Sequence, residues 1–564
     1  MRYLYFFLVI IVLFQQSIVA QESIVIVPDE ITVVDEATGK NGMVITNTPL
    51  ASQTAMNILK KGGNAVDAAI AANAVLGVTN PTSGGVGGDL YALIWDAKTR
   101  QLYGLNASGR SSNLLSFEKL KSLKINTIDE NSPYSVTVPG CVDGWNEMHE
   151  KFGRLPVYEI LLDAIHYAQN GIVITEDVAE LLENETIRLN RYENFRKTYL
   201  IDSISPVAGQ IFRNPDLAYL YKSLVSKGFR SFYNSEISQN ISASVTELGG
   251  FLSVSDLTMH HSEWVEPIST DYRGNLVYQL PPNSMGINLL EMLEILENFD
   301  LVQLNYGSKK YLHTLIEVKK IVYQDQSNFF GDPTYHKYKT DKYLSQEYAK
   351  KKLLSFSSGS AVNIPSIQFE NERNTLSIII ADNEGNLVVM AQNNYSGMGS
   401  GIVPDSLGFV LQNRAAAFSL KKNEGNVYAA SSRPFFNALP CIVFKDDRPI
   451  IGIGLTNNLL NALTETQLIL NTLDFNMEPI EAMQVPYIYH NLFAKPKESG
   501  KNIPWTTIEK GINYQVVREL IAAGQRIKFI SEPVVGLQAL FLLSDKNRYQ
   551  GLSRSKGNGY IIGY

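Results

Sequence analysis

Two apolar runs, Leu376 to Ala381 and Leu387 to Ala391, are separated by the polar stretch Asp382-Asn383-Glu384-Gly385-Asn386. Short apolar runs joined by a few residues containing glycine predict two antiparallel strands, and near-continuous hydrophobicity predicts strands that are buried. The fold must therefore wrap a large core around this hairpin. Thr375 stands at the head of the first strand, directly after Asn374.

The flanking sequence supplies material for that core. Gly42 to Asn47 reads as a short strand, and Leu50 to Lys61 as a helix closed by Gly62-Gly63. Asn64 then caps the apolar run Ala65 to Leu76, whose alanines at helical spacing predict a helix lying close on a sheet. Leu90 to Trp95 is a strand entered from Ser83-Gly84-Gly85-Val86-Gly87-Gly88-Asp89; Arg448 to Leu455 is another, followed by a helix over Leu459 to Leu473. Helix and sheet alternate without repeats, low-complexity tracts or a linker, which argues for one large α/β body. With 564 residues, 45% of them hydrophobic and 19% charged, the chain can bury such a core. A net charge of -7 and the lack of a basic run argue against a binder of nucleic-acid backbones.

The N-terminus has the organisation of a targeting segment. Arg2 provides a positive end, Leu4 to Phe14 an apolar stretch, and Gln15 to Ala20 a polar, small-residue boundary. The apolar stretch is shorter than the ~20 residues needed to span a bilayer. Residues 1–20 are read as a secretory signal cut near Ala20, with retention as a signal anchor the alternative. Asn-X-Ser/Thr sequons at Asn184 and Asn240 suit a secreted glycoprotein; two more begin at Asn106 and Asn394. Cys141 and Cys441 are the chain's two cysteines, and either pair or are buried as thiols.

Several signals for other chemistries are incomplete. The glycines of 83–88 lack both the Lys-Ser/Thr of a phosphate loop and the strand–turn–helix order of a dinucleotide fingerprint, so close backbone packing or a pocket wall is the expectation. His260-His261 has no accompanying metal-ligand spacing. No G-x-S-x-G elbow occurs.

The segment Asn374-Thr375-Leu376-Ser377, with Asn393-Asn394-Tyr395-Ser396-Gly397-Met398-Gly399-Ser400-Gly401 and Leu411-Gln412-Asn413-Arg414, resembles the self-cleavage site and substrate loop of γ-glutamyltranspeptidases. Gly62-Gly63-Asn64-Ala65-Val66-Asp67-Ala68-Ala69, Val138-Pro139-Gly140, Leu280-Pro281-Pro282-Asn283-Ser284, Asp474 to Pro479 and Gly559 to Tyr564 resemble further blocks of that family in the same order. The resemblance runs from about Gly42 to Tyr564. It implies a four-layer αββα sandwich of the N-terminal-nucleophile hydrolase type. It also implies self-cleavage into residues 21–374 and 375–564, interleaved in one core. Neither metal nor organic cofactor is implied.

On this resemblance Thr375 is the nucleophile and Asn374–Thr375 the scissile bond. The freed α-amine of Thr375, with an ordinary pKa of about 7.7–8.0, would act as the base beside its own hydroxyl. A threonine at a strand entrance is otherwise simply a good β-former. Asn393 matches a position supporting the nucleophile, or braces the turn with its amide. Asn457 and Asn458 match the family's Gly-Gly oxyanion turn, where backbone N–H groups would still be available. Ala417 replaces an aspartate that binds the donor's α-amine, Phe436-Asn437 replaces a Ser-Ser pair, and the family's early arginine falls on Ser108, with Arg110 two residues later. The branch resembled contains transpeptidase-like and acylase-like members, in which Arg110 and Arg414 are candidates to hold a substrate carboxylate.

The activity implied is that of a secreted amidohydrolase or acyltransferase acting on γ-glutamyl-type amides such as glutathione. The alternative is an extracellular effector that keeps the fold and binds proteins or cell surfaces, since extracellular members of this family occur in animal venoms.

Overall fold

A computed structural model describes residues 32–329, 331–335, 339–362, 374–422, 424–437, 439–456, 461–491, 505–531, 533, 535–543, 548–554 and 559–564. The signal segment, Asn457 and Asn458 lie outside the described residues.

In chain order the strands of the two large sheets are β1 (Asp35–Gly39), β2 (Met43–Thr46), β3 (Asp89–Asp96), β4 (Gln101–Ala107), β5 (Glu263–Val265), β6 (Ile268–Tyr272) and β7 (Asn275–Gln279). They continue with β8 (Leu376–Ala381), β9 (Leu387–Asn393), β10 (Cys441–Lys445), β11 (Arg448–Thr456), β12 (Gly536–Leu543), β13 (Arg548–Arg554) and β14 (Tyr560–Gly563). One sheet has the order β14-β2-β8-β9-β3-β4-β5, the other β1-β13-β12-β11-β10-β7-β6. Both contain strands from either side of Thr375.

Why the central hairpin is apolar throughout follows from the layering. Side chains alternate across a strand. Leu376, Ile378 and Ile380 of β8 join a core with α1 (Pro49–Lys60), α2 (Ala65–Thr79), α3 (Cys141–Phe152) and α4 (Val157–Asn170). Ile379 and Ala381 face the second sheet, in a core shared with Ile442, Phe444 and Leu540. The second sheet's outer face is covered by α5 (Gly286–Leu296), α6 (Lys309–Phe329), α7 (Asn461–Leu473) and α8 (Tyr514–Ala522). Four layers result, helix–sheet–sheet–helix.

Every residue of α2 is buried, and its alanines let the helix lie against the sheet. Asn64 and Asp67 form a reciprocal capping box at its start, worth ~1 kcal/mol. The glycine run of 83–88 is a backbone-packing device, as its composition suggests. A Cβ on Gly87 would stand 1.9 Å from the carbonyl of Val410, and one on Gly88 2.2 Å from that of Asn393. Both cysteines are buried free thiols, Cys141 lying 3.2 Å from Asn73 Oδ1. Among the described residues no helix is long and apolar enough to cross a membrane.

One buried cation makes stability depend on pH. Lys319 of α6 is fully enclosed, donating to the carbonyl of His490, and burial holds its ammonium down to about 7. An unfolded lysine titrates near 10.4, so between about pH 7 and 10 the unfolded chain binds the extra proton and folding stability rises with pH. Below pH 7 the cost of the buried charge is fully present. Lys319→Met should therefore raise the melting temperature most near pH 6, with the gain shrinking toward pH 9. A gain independent of pH in thermal melts would refute this.

Candidate active site

The register of the first sheet places four polar residues in one row. β8 and β9 pair Leu376 with Gln392, so the next step along sets Thr375 opposite Asn393. β9 and β3 pair Asn393 with Asp89. β3 and β4 pair Leu90 with Ala107, so Asp89 is followed by Ser108. By strand alternation all four side chains point to the inter-sheet face, where the apolar filling stops.

Asn393 Nδ2 donates to Thr375 Oγ1 at 3.0 Å. Asn393 Oδ1 accepts from Arg414 and from the N–H of Tyr395. Arg414 Nε donates to Asp89 Oδ2 at 2.7 Å, while Asp89 Oδ1 accepts from Gly109 N–H at 2.8 Å and Gln412 Nε2 at 2.7 Å. The guanidinium carbon sits 5.7 Å from the Tyr91 ring centre and 5.5 Å from that of Tyr395. Burial pushes the Asp89 carboxyl up, opposed by Arg414, Gln412 and Gly109. These three neighbours are donors, so the carboxylate is the form they fit.

Thr375 is 2% exposed. Asn374, on the other side of the peptide bond, has φ 58° and an amide 3.5 Å from the carbonyl of Thr82. Left-handed backbone is a strained conformation for most residues and one that asparagine tolerates. On the facing sheet, Gly454 of β11 approaches so closely that a Cβ would lie 2.2 Å from Ser377 Oγ. Gly452 lies over Val389 and Ile379, and Gly454 over Ser377. The oxyanion candidates Asn457 and Asn458 follow the end of β11 directly in sequence.

Arg110 lies beside this row, donating to Glu263 at 2.5 Å. Arg433 shares the same carboxylate at 2.7 Å and donates to the carbonyl of Ser108. Burial pushes Glu263 up, but the two guanidinium groups outweigh it and hold the carboxyl below its usual range.

The structure thus brings Thr375, Asn393 and Arg414 together, with Arg110 two residues after Ser108 of the same row. Arg414 requires a correction. Its guanidinium is fully buried and takes Asp89 as counter-ion, so the carboxylate it holds belongs to the protein. Asp89 and Gln412 carried no role in the sequence reading. The available signal was an aspartate opening a wholly apolar strand, since a charge there needs a partner. Of the sequons, Asn184 is exposed and Asn240 half-buried, whereas Asn106 and Asn394 are buried.

A four-layer α/β sandwich with a threonine at the head of a central strand defines the class: an N-terminal-nucleophile hydrolase fold. Within that class the sequence profile of the gamma-glutamyltranspeptidase family matches residues 51–564, and the chain belongs to this family of hydrolases and acyltransferases. The glutathione hydrolase-like YwrD proenzyme of Bacillus subtilis is 30% identical over 531 residues, covering 93% of this chain and 99% of that protein. Cephalosporin acylase from Bacillus halodurans superposes with a TM-score of 0.85 at 29% identity, covering 94% of this chain and 97% of that one. The gamma-glutamyltranspeptidase of Helicobacter pylori superposes with a TM-score of 0.54 at 28% identity, over 56% of this chain and 91% of that one.

Proposed function

We propose that this protein is a secreted, self-processing threonine amidohydrolase and acyltransferase, cut between Asn374 and Thr375 into parts 21–374 and 375–564. The observation that carries the reading is the buried Thr375 hydroxyl, 3.0 Å from the Asn393 amide and one bond from a left-handed Asn374. In the first reaction Thr375 Oγ attacks the Asn374 carbonyl carbon. The C–N bond breaks, the hydroxyl proton passes to nitrogen, and an ester joins Asn374 to Oγ. Water then hydrolyses the ester, leaving a carboxylate on Asn374 and a free amine on Thr375. In turnover that amine takes the Oγ proton as Oγ attacks a donor amide, and passes it to the leaving amine. Water or an acceptor amine resolves the acyl-enzyme. Asn457 and Asn458 are the proposed oxyanion turn.

The donor is an amide whose acyl group carries a carboxylate, held by Arg110. Arg110 and Arg433 converge on Glu263 there, and a guanidinium is the group whose geometry fits a carboxylate. A γ-glutamyl amide such as glutathione meets this description, and the glutathione hydrolase-like relative supports it. An acyl group without an α-amine meets it too, and two residues favour that variant. Ala417 lies in an apolar cluster, and Phe436 is stacked on Tyr91 with ring centroids 3.4 Å apart. Neither offers a polar group to an ammonium. Signal removal near Ala20 and glycans at Asn184 and Asn240 complete the proposal.

The purified secreted protein on a denaturing gel, with N-terminal sequencing, tests this reading. Two bands are expected, the smaller about one third of the chain and beginning Thr375-Leu376-Ser377. A single band, stable on incubation, would refute self-processing and leave the extracellular effector, binding proteins or cell surfaces, as the working function.

A further inference from the structure

We infer that the buried Asp89–Arg414 ion pair is a positioning device for the reacting hydroxyl. It fixes the Asn393 amide with its N–H turned toward Thr375 Oγ, and so commits that amide to stabilising negative charge on the oxygen. This inference rests on the reading of Thr375 as the nucleophile.

The argument starts from the symmetry of an amide. Oxygen and NH2 are nearly the same size, so a side-chain amide reverses at little steric cost, and its neighbours decide which end points where. Arg414 can only donate, and so can the backbone N–H of Tyr395. Both meet the same atom of Asn393, which must be Oδ1. Nδ2 is left to face Thr375 Oγ1 at 3.0 Å. Reversed, the amide would offer Thr375 an acceptor. It would then hold the hydroxyl proton in place and oppose the charge that develops as Oγ attacks.

Arg414 can impose this only if it is itself immobile and tolerated. Asp89 secures both conditions. It supplies the counter-charge on the side away from Thr375, and is anchored by Gly109 N–H and Gln412 Nε2. Tyr91 and Tyr395 lie near the guanidinium carbon at 5.7 and 5.5 Å. The sequence of groups is therefore polar in one direction: carboxylate, guanidinium, amide N–H, hydroxyl oxygen. A positive charge behind a donor strengthens that donor in a dry site. Register places three of the four groups, because Asn393 pairs with Asp89 and Thr375 lies one step beyond the Leu376–Gln392 pair, while Arg414 is brought in by the turn Arg414–Ala417.

An ion pair that merely pinned the Arg414 loop to β3 would not need this directionality. It should also be replaceable by an uncharged pair with little loss, as buried ion pairs often are.

Self-cleavage tests the inference without any added substrate. Chains made by cell-free synthesis are followed on a denaturing gel, with thermal melting to confirm folding. Changing Asp89→Asn and Arg414→Gln together leaves no unpaired charge. This double variant should fold and cut before Thr375 on the order of 100-fold more slowly, the scale on which losing one preorganised hydrogen-bond donor at a reacting centre acts. Its rate should continue to rise at alkaline pH where the wild type has levelled. Asn393→Ala should show a similar loss. Adding it to the double variant should cost less than a further factor of about 3, since both changes act through one amide. Should the double variant not fold, Asn393→Asp decides the matter. It keeps a partner for Arg414 but faces Thr375 with a carboxylate oxygen, so it should fold and fail to cut.

Cutting at the wild-type rate by the double variant or by Asn393→Asp would overturn the inference. So would a full multiplication of the two losses. If the wild-type chain itself does not cut before Thr375, the nucleophile reading has failed, a result distinct from all of these.

Discussion

Thr375→Ala is expected to yield a folded, uncut chain with no amidase turnover. The substitution removes one hydroxyl and one methyl group from a buried strand entrance. It leaves the Asn393 amide without this acceptor, a loss of ~1–3 kcal/mol that a chain this size should survive. Rate is another matter. Removing the nucleophile of a hydroxyl-dependent hydrolase lowers kcat by about a million-fold, and here the same oxygen would serve both the cut and the turnover. Thr375→Ser, which keeps the oxygen, should retain a measurable part of each. Intact mass of the purified protein reads the first loss; release of a chromophoric amine from a γ-glutamyl or glutaryl anilide reads the second. If the alanine variant still produced a fragment beginning at residue 375, Thr375 would not be the cutting group.

Gly109→Ala should damage the site without touching its reacting groups. A Cβ at this position would lie 1.5 Å from the carbonyl oxygen of Val138, and backbone on backbone cannot be relieved by a rotamer change. One of the two segments must move. Both matter: Gly109 N–H holds Asp89, Arg110 is the next residue, and Val138 N–H donates back to the carbonyl of Arg110. Overpacking typically costs ~1–3 kcal/mol, and this case belongs at or above the upper end. Placing Gly109→Ala in the uncut Thr375→Ala background separates stability from processing, and its melting temperature should fall by several degrees. An unchanged melt would mean that the segments give way freely.

The residues legible from sequence are those whose role is local. The central hairpin, the Asn64-capped helix and the glycine run were readable because apolar runs, caps and glycine clusters act within a few positions. Thr375 and Asn393 are assigned through the family resemblance, because a threonine at a strand entrance is by itself only a good β-former and an asparagine after a strand is by itself a turn brace. Asp89 and Arg414 were not legible as a pair: 325 positions separate them, and an arginine in a loop reads as a solvated charge or a ligand for substrate. Only the folded chain, in which the 411–414 loop returns to the head of β3 with Gln412 N–H on the Gly87 carbonyl, shows that one fills the need of the other. The assignment of Arg110 meets the same limit, since the Glu263 and Arg433 beside it come from distant segments.

The alternation of strands in the first sheet has a further consequence. β2, from before Thr375, lies between β14 and β8, which both come after it, while β1 completes the other sheet by pairing with β13. Neither portion can assemble its share of the sandwich without the other. As one chain, the two find each other in a search within a single molecule, independent of dilution. Once separated by a cut before Thr375, they would meet only by collision. The peptide link would thus be dispensable to the mature form yet necessary to reach it. Maturation would then be a ratchet: the proposed cut would create the working enzyme and discard the route by which that enzyme could be rebuilt.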